Sequence, residues 1–241
     1  MINSDINGSV AVITIDRAER RNALDIEHCE ALSSAVETAA AAGMRVLVIR
    51  GSGSSFCAGA DFGEVYDSSF RDALYRMLGV IRDAGMPVLA WINGPAIGAG
   101  TQLAIACDLR VASEDAVFMV PTAQIGLAVD PWTIRRLAAV AGTSAASAML
   151  LGSDKLDSRA ALGTGLVNRL GEFEAACAWA QDIAALAPLT LEYSKRVLHE
   201  LSTDAVGLEL LDAFERCWLS ADVKEGELAR VQRRAPRFQG R

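Results

Sequence analysis

The sequence predicts an α/β fold built on a parallel sheet that is covered on both faces. Short, continuous apolar runs recur at Val10–Ile15, within Arg45–Arg50 and at Pro87–Ile92, the pattern of strands buried on both faces. Helical patterns separate these runs, as crossovers between parallel strands require. At 241 residues and 51% hydrophobic content, the chain is long enough to bury one sizeable core.

The elements follow in order. Val10-Ala11-Val12-Ile13-Thr14-Ile15 is rich in β-branched residues and reads as a strand. Residues 25–42 read as a helix, N-capped by Asp25 with His28 at the third helical position. Val-Leu-Val-Ile, within 45–50, is the next strand, followed by a Gly/Ser loop over 51–55. The spacing of Phe70, Leu74, Met77, Leu78 and Ile81 predicts a helix over 69–84. Residues 87–92 form a third apolar strand, 99–107 a short buried helix, and 108–112 and 117–119 two further strands. From Pro131 onward the chain reads as helical, with breaks at Gly142, Gly152, Gly163-Gly165, Gly171 and Pro188. This divides it into a core over 1–187 and a helical region over 188–241. That region is too short to stand alone and is expected to pack on the core or on a neighbouring subunit.

Composition excludes several classes. A net charge of −7 disfavours a nucleic-acid partner, which needs a basic patch. No apolar run approaches the roughly 20 residues of a membrane span. The start, Met1-Ile2-Asn3-Ser4-Asp5, lacks the basic-then-apolar pattern of a secretory signal. Cys29, Cys57, Cys107, Cys177 and Cys217 are odd in number and include no Cys-x-x-Cys, so free thiols in a reducing cytoplasm are expected. The only histidines, His28 and His199, lie in helical patterns. No metal site and no Ser-His-Asp triad is expected, and no nucleophile elbow is present.

Two segments carry chemistry. Ser55-Phe56-Cys57-Ala58-Gly59-Ala60-Asp61-Phe62 follows one strand through a flexible loop, and its small side chains let a ligand lie on the backbone. Asn93-Gly94-Pro95-Ala96-Ile97-Gly98-Ala99-Gly100-Thr101-Gln102 follows the next strand and opens a helix, whose first N–H groups lack internal partners and favour negative charge. One donor from each segment is suited to hold a thioester oxygen as it becomes an enolate. Close packing of helix on strand would account for either segment alone, but not as readily for the pair.

These segments, with Arg17-Ala18-Glu19-Arg20-Arg21-Asn22-Ala23-Leu24 and Cys107-Asp108-Leu109-Arg110, resemble the enoyl-CoA hydratase/isomerase (crotonase) family from near the start of the chain to its end. The resemblance implies a crotonase (ClpP-like) fold, with repeated ββα units in two roughly perpendicular sheets and C-terminal helices that build trimers or hexamers. It implies an acyl-CoA or enoyl-CoA ligand and no separate cofactor. Ala60 and Ala99 match the oxyanion-hole donors. Arg20, Arg21, Ala23, Leu24, Ala58, Ala60, Asp61, Phe62 and Gly98 match the substrate-binding wall.

The same resemblance exposes what is missing. The two glutamates of the family's hydratases fall at Gln102 and Thr122, neither of which titrates near neutral pH. Acid–base help of that kind is worth about 10²–10⁴ in rate. Gly63 stands where a basic residue is common, so Arg20, Arg21 or a basic residue from a neighbour's tail is left to hold the CoA phosphates. Asp130 is the one remaining carboxylate near the expected centre. Followed by Pro131 it reads equally as a helix N-cap or as an acid/base group. Val120, Ala123, Ile125, Leu127, Val129 and Trp132 read either as lining for an acyl chain or as core. Gln102, Pro121-Thr122, Gly126-Leu127-Ala128, Ile134-Arg135-Arg136-Leu137 and Pro236-Arg237-Phe238-Gln239-Gly240 resemble a mycobacterial subgroup without the two glutamates, associated with binding fatty acyl-CoA for lipid synthesis. That implies fatty acyl-CoA binding with little hydratase activity, and a protein partner in lipid synthesis. The alternative is an active CoA-thioester isomerase or hydratase that uses Asp130.

Overall fold

A computed structural model describes residues 1–200, 215 and 218–236. Its main sheet has six strands in the order β1-β2-β3-β4-β6-β9. The strands are β1 (Ile2–Asn7), β2 (Val10–Ile15), β3 (Val46–Gly51), β4 (Val88–Ile92), β6 (Leu109–Ala112) and β9 (Arg169–Leu170). From β2 onward every neighbouring pair is parallel, as the apolar runs predict. Only β1, a polar edge strand, runs antiparallel, with Asn7 opposite Val10 across a tight turn.

Period-two geometry divides each inner strand between two cores. Val46, Val48, Leu89 and Trp91 face α7 (Phe173–Ala184). Leu47, Ile49, Val88 and Ala90 face the larger core with α1 (Ile26–Ala41), α2 (Ser68–Asp83) and α3 (Ala99–Ala106). Each fully buried aliphatic side chain of this kind contributes about 1.5–3 kcal/mol. The Asp25 carboxylate accepts the His28 N–H and starts α1 as expected, and the Asp67 carboxylate does the same for Ser69 and α2.

A second, three-stranded sheet combines β5 (Pro95–Ile97), β7 (Val117–Met119) and β8 (Leu156–Asp157). The short β5, β8 and β9 are not foreseen in the sequence, because two- or three-residue strands leave no periodic signal, and β1 is missed because Ile2–Asn7 is mostly polar and exposed. The expected breaks at Pro188 and at Gly163-Gly165 appear as the start of α8 (Pro188–Glu200) and the end of α6 (Ser158–Thr164), which Gly165 caps.

The C-terminal region docks on this body. Lys195 of α8 pairs with Asp108 at 2.8 Å and donates to the carbonyls of Ile81 and Met86. His199 meets the same carboxylate at 2.9 Å. The tail helix Ala221–Val231 packs on the 3-10 turn Thr122–Ile125. Of the matched terminal run, residues 237–240 lie outside the described residues. No helix among the described residues is long and apolar enough to cross a membrane.

Candidate functional site

The two small-residue segments leave neighbouring strands β3 and β4 and are laced together beyond them. Cys57 donates to the Pro95 carbonyl and accepts from the Ile97 N–H. On the other side, Leu24 N–H bonds the Gly59 carbonyl at 2.8 Å and Asp61 N–H bonds the Leu24 carbonyl at 2.6 Å. That parallel bridge, centred on Leu24 and Ala60, turns the N–H of Ala60 away from Leu24. Among the described residues it reaches no backbone acceptor, and neither does the N–H of Ala99, the first residue of α3.

Two glycines allow this approach. A Cβ on Gly100 would lie 2.0 Å from the Cys57 carbonyl oxygen. Gly59 has φ +109°, where side chains are strained, and a Cβ there would lie 2.9 Å from the Ile97 oxygen. Ala60 and Ala99 are thereby brought to one cavity.

That cavity, about 290 Å³, has Ala58, Gly59, Ala60, Gly98 and Ala99 at its donor end. Val65, Phe70 and Leu74 of the α2 region, with Ile125, Leu127 and Trp218, supply an apolar wall. Its polar lining consists of Arg71, Tyr75, Gln102, Thr122 and Gln124, and no Asp or Glu of the described residues lines it. Of the acyl-lining candidates, Ile125, Leu127 and Val129 are on this wall. Val120 is instead fully buried core, Ala123 is exposed, and Trp132 packs on the core from α4 (Pro131–Ala141). Trp218 lines the cavity and stacks on Arg71 at 4.9 Å.

Gln102 is buried, and its Nε2 donates to the Thr133 hydroxyl at 2.9 Å. That hydroxyl donates to Asp130 Oδ1. Burial raises the Asp130 pKa, and the Thr133 hydroxyl and nearby backbone N–H groups oppose the rise only in part. Asp130 flanks α4 with Pro131 at its first position, yet the structure gives it no fully formed backbone cap; its carboxylate is taken up by Thr133 and is not on the cavity wall. Tyr75 bonds the Gln102 side chain and faces the Asp130 backbone, and burial pushes its phenol far above the usual value. Tyr75 and Thr133 were not singled out from sequence. Tyr75 flanks the apolar stripe of α2 and so reads as ordinary helix, whereas the i, i+3 spacing of Asp130 and Thr133 was a readable signal.

The rest of the predicted wall divides between structural and accessible residues. Asp61 is held by Arg17 at 2.9 Å, Arg17 also pairs with Asp25, and Asp61 caps the Gly63 N–H, so its carboxylate shapes the loop. Leu24 is fully buried, while Ala23 gives its carbonyl to Arg17. Arg20 and Arg21 are exposed, and the Arg21 carbonyl accepts the Ala58 N–H. Phe62 is 65% exposed. Beside Gly63, Arg230 of the tail helix stacks on the Phe62 ring at 4.5 Å and donates to its carbonyl. This places a cation of the same chain where the sequence pointed to Arg20, Arg21 or a neighbour.

Residues 5–241 match the family model described as "Enoyl-CoA hydratase/isomerase". The chain is 45% identical over 237 residues to "Probable enoyl-CoA hydratase echA6" of Mycobacterium leprae, covering 96% of each chain. It is also 45% identical to the protein of that name in Mycobacterium tuberculosis, covering 98% of each. A crystal structure of an enoyl-CoA hydratase/isomerase from Pseudoalteromonas atlantica superposes with a TM-score of 0.87 at 30% identity, over 99% of both chains. Methylmalonyl-CoA decarboxylase, at 22% identity and a TM-score of 0.90, shares the fold. The chain therefore has the crotonase fold and belongs to the enoyl-CoA hydratase/isomerase family.

Proposed function

We propose that the chain binds fatty acyl-CoA thioesters and turns them over little or not at all. The carrying observation is a cavity that joins two outward N–H donors to an apolar wall, with no carboxylate on its surface among the described residues. Donors so arranged stabilise an enolate oxygen when an acid/base group is at hand, each being worth about 10²–10³ in rate. Without that group they hold the oxygen of an unreacted thioester. Arg20, Arg21 and Arg230 would then meet the CoA phosphates at the open end. Leu189, Leu198 and Leu219, all strongly exposed, fit the further proposal of a trimer or hexamer.

An acid/base role for Asp130 in isomerisation or hydration is the second reading. Its raised pKa favours that role. The commitment of its carboxylate to Thr133, off the cavity wall, argues against it.

Melting scans with saturated acyl-CoA of several lengths test the proposal. Ligand at 100 times its Kd adds about 2.7 kcal/mol of stability. No shift with saturating octanoyl- or palmitoyl-CoA overturns the reading. Enoyl-CoA turnover that vanishes in folded Asp130→Asn favours the second one.

A further inference from the structure

Behind the Ala60 donor runs an unbroken line of hydrogen bonds that starts on a cation. A trans peptide is planar, so its carbonyl and its N–H point in opposite directions. The Gly59 carbonyl and the Ala60 N–H belong to one such unit, and the Ala23 carbonyl and the Leu24 N–H to another; both units are trans. Arg17 Nη1 donates to the Ala23 carbonyl at 3.0 Å, and the Leu24 N–H donates to the Gly59 carbonyl at 2.8 Å. The guanidinium is thus joined through two peptide units to the Ala60 N–H at the cavity.

Arg17 is itself firmly held. Its side chain is mostly buried and pairs with Asp25 at 3.0 Å and Asp61 at 2.9 Å. Its backbone N–H donates to Asn22 Oδ1 at 3.0 Å, and the fully buried Asn22 is in turn bonded to the Ser52 and Ser55 carbonyls. The two carboxylates offset part of the charge, but the group touching the Ala23 oxygen is cationic. A cation polarises the carbonyl it touches, and polarisation passes along hydrogen-bonded peptides, strengthening each bond by about 10–30%. The Ala99 donor is backed by other means. The Gly98 carbonyl of its peptide accepts the Gln102 N–H at 3.0 Å, and the dipole of α3 stands behind it.

We infer that Arg17, which is not on the cavity wall, is a positioning residue for the Ala60 donor. It acts through the Leu24 and Gly59 peptides, fixing the aim of the Ala60 N–H and lending it the pull of a positive charge. The inference rests on the proposed seating of a thioester oxygen on Ala60 and Ala99. A carbonyl gripped by stronger donors has a weaker C=O bond, so its stretching frequency falls.

Infrared difference spectra of octanoyl-CoA carrying ¹³C at the thioester carbonyl, bound to wild type, Arg17→Met and Arg17→Lys, test this. Wild type is expected to lower the carbonyl band relative to free ligand. In Arg17→Met, checked by melting, the band moves back toward the free position and Kd rises about two- to tenfold. Arg17→Lys, which keeps a cation near the Ala23 oxygen, recovers part of the shift. Should the methionine variant not fold, Arg17→Gln serves as the neutral variant. A folded neutral variant that keeps the wild-type band, or a lysine variant no closer to it than the neutral one, overturns the inference while leaving thioester binding intact. Absence of binding, or a wild-type band at the free position, overturns the proposed seating and this inference with it.

Discussion

The two ends of α3 begin with the same deficit and are treated in opposite ways. A helix leaves its first N–H groups and last carbonyls without internal partners. At the C-terminal end, Arg110 bonds the carbonyls of Ala104 and Cys107 at 3.2 and 2.7 Å, and Arg136 bonds that of Ile105 at 3.0 Å. Both guanidiniums are buried. Burial first, and the like charge of Arg136 second, push Arg110 down to about 10, which leaves it charged at neutral pH. These cations complement the helix dipole. At the N-terminal end the Ala99 N–H opens onto the cavity with no backbone acceptor among the described residues. The proposed binding of a thioester at the open end rests on this contrast.

Asp108 lies beside the closed end and is the sharper place to break it. Its carboxylate joins Val88 N–H, Lys195 and His199, and so ties α8 to the sheet. Asp108→Asn leaves the Lys195 ammonium buried without its counter-charge, at an expected cost of about 3 kcal/mol in urea unfolding at neutral pH. Burial raises the Asp108 pKa, but the His199 hydrogen bond and the Lys195 charge outweigh it and hold it below the usual value. The contribution is therefore complete above about pH 5 and is lost as the pH falls through the folded-state value, which lies below 3.8. The stability gap between wild type and variant should close on acidification. A gap that does not narrow at all on acidification would show that the carboxylate charge is not its source.

The open end is tested by adding what it lacks. Gln102→Glu combined with Thr122→Glu returns carboxylates to the cavity beside intact donors. Hydration of crotonyl-CoA is expected to rise at least about 100-fold over wild type, the lower bound for general acid–base help. An unchanged rate in a folded double variant would mean that something other than these side chains withholds the chemistry.

The sequence reveals the closed parts of the molecule more readily than the open ones. The apolar strands at 46–51 and 88–92 announce themselves because both faces are buried. The polar β1 does not, since one antiparallel neighbour suffices to hold an edge. The two small-residue segments were legible because close approach at Gly59 and Gly100 demands small residues, while Ala60 and Ala99 within them were reached through the family resemblance. The polar lining was less so: Tyr75 hides in an amphipathic pattern, and although Thr133 stands at readable spacing from Asp130, its contact with Gln102 exists only once the chain is folded. For Trp132 and Val120, of the two readings the sequence left open, the structure takes the core one. Nor could sequence foresee that Trp218, 116 positions beyond Gln102, would line the same cavity.

The central claim is that the donors grip a thioester without a carboxylate to act on it. A crystal structure with a saturated acyl-CoA bound tests it most directly. The expected result is the thioester oxygen at about 2.7–3.1 Å from both the Ala60 and Ala99 nitrogens, with the acyl chain along the apolar wall of the cavity. It would be contradicted by a thioester seated away from these nitrogens, or by Asp130 swung within about 3.2 Å of the reacting acyl carbons.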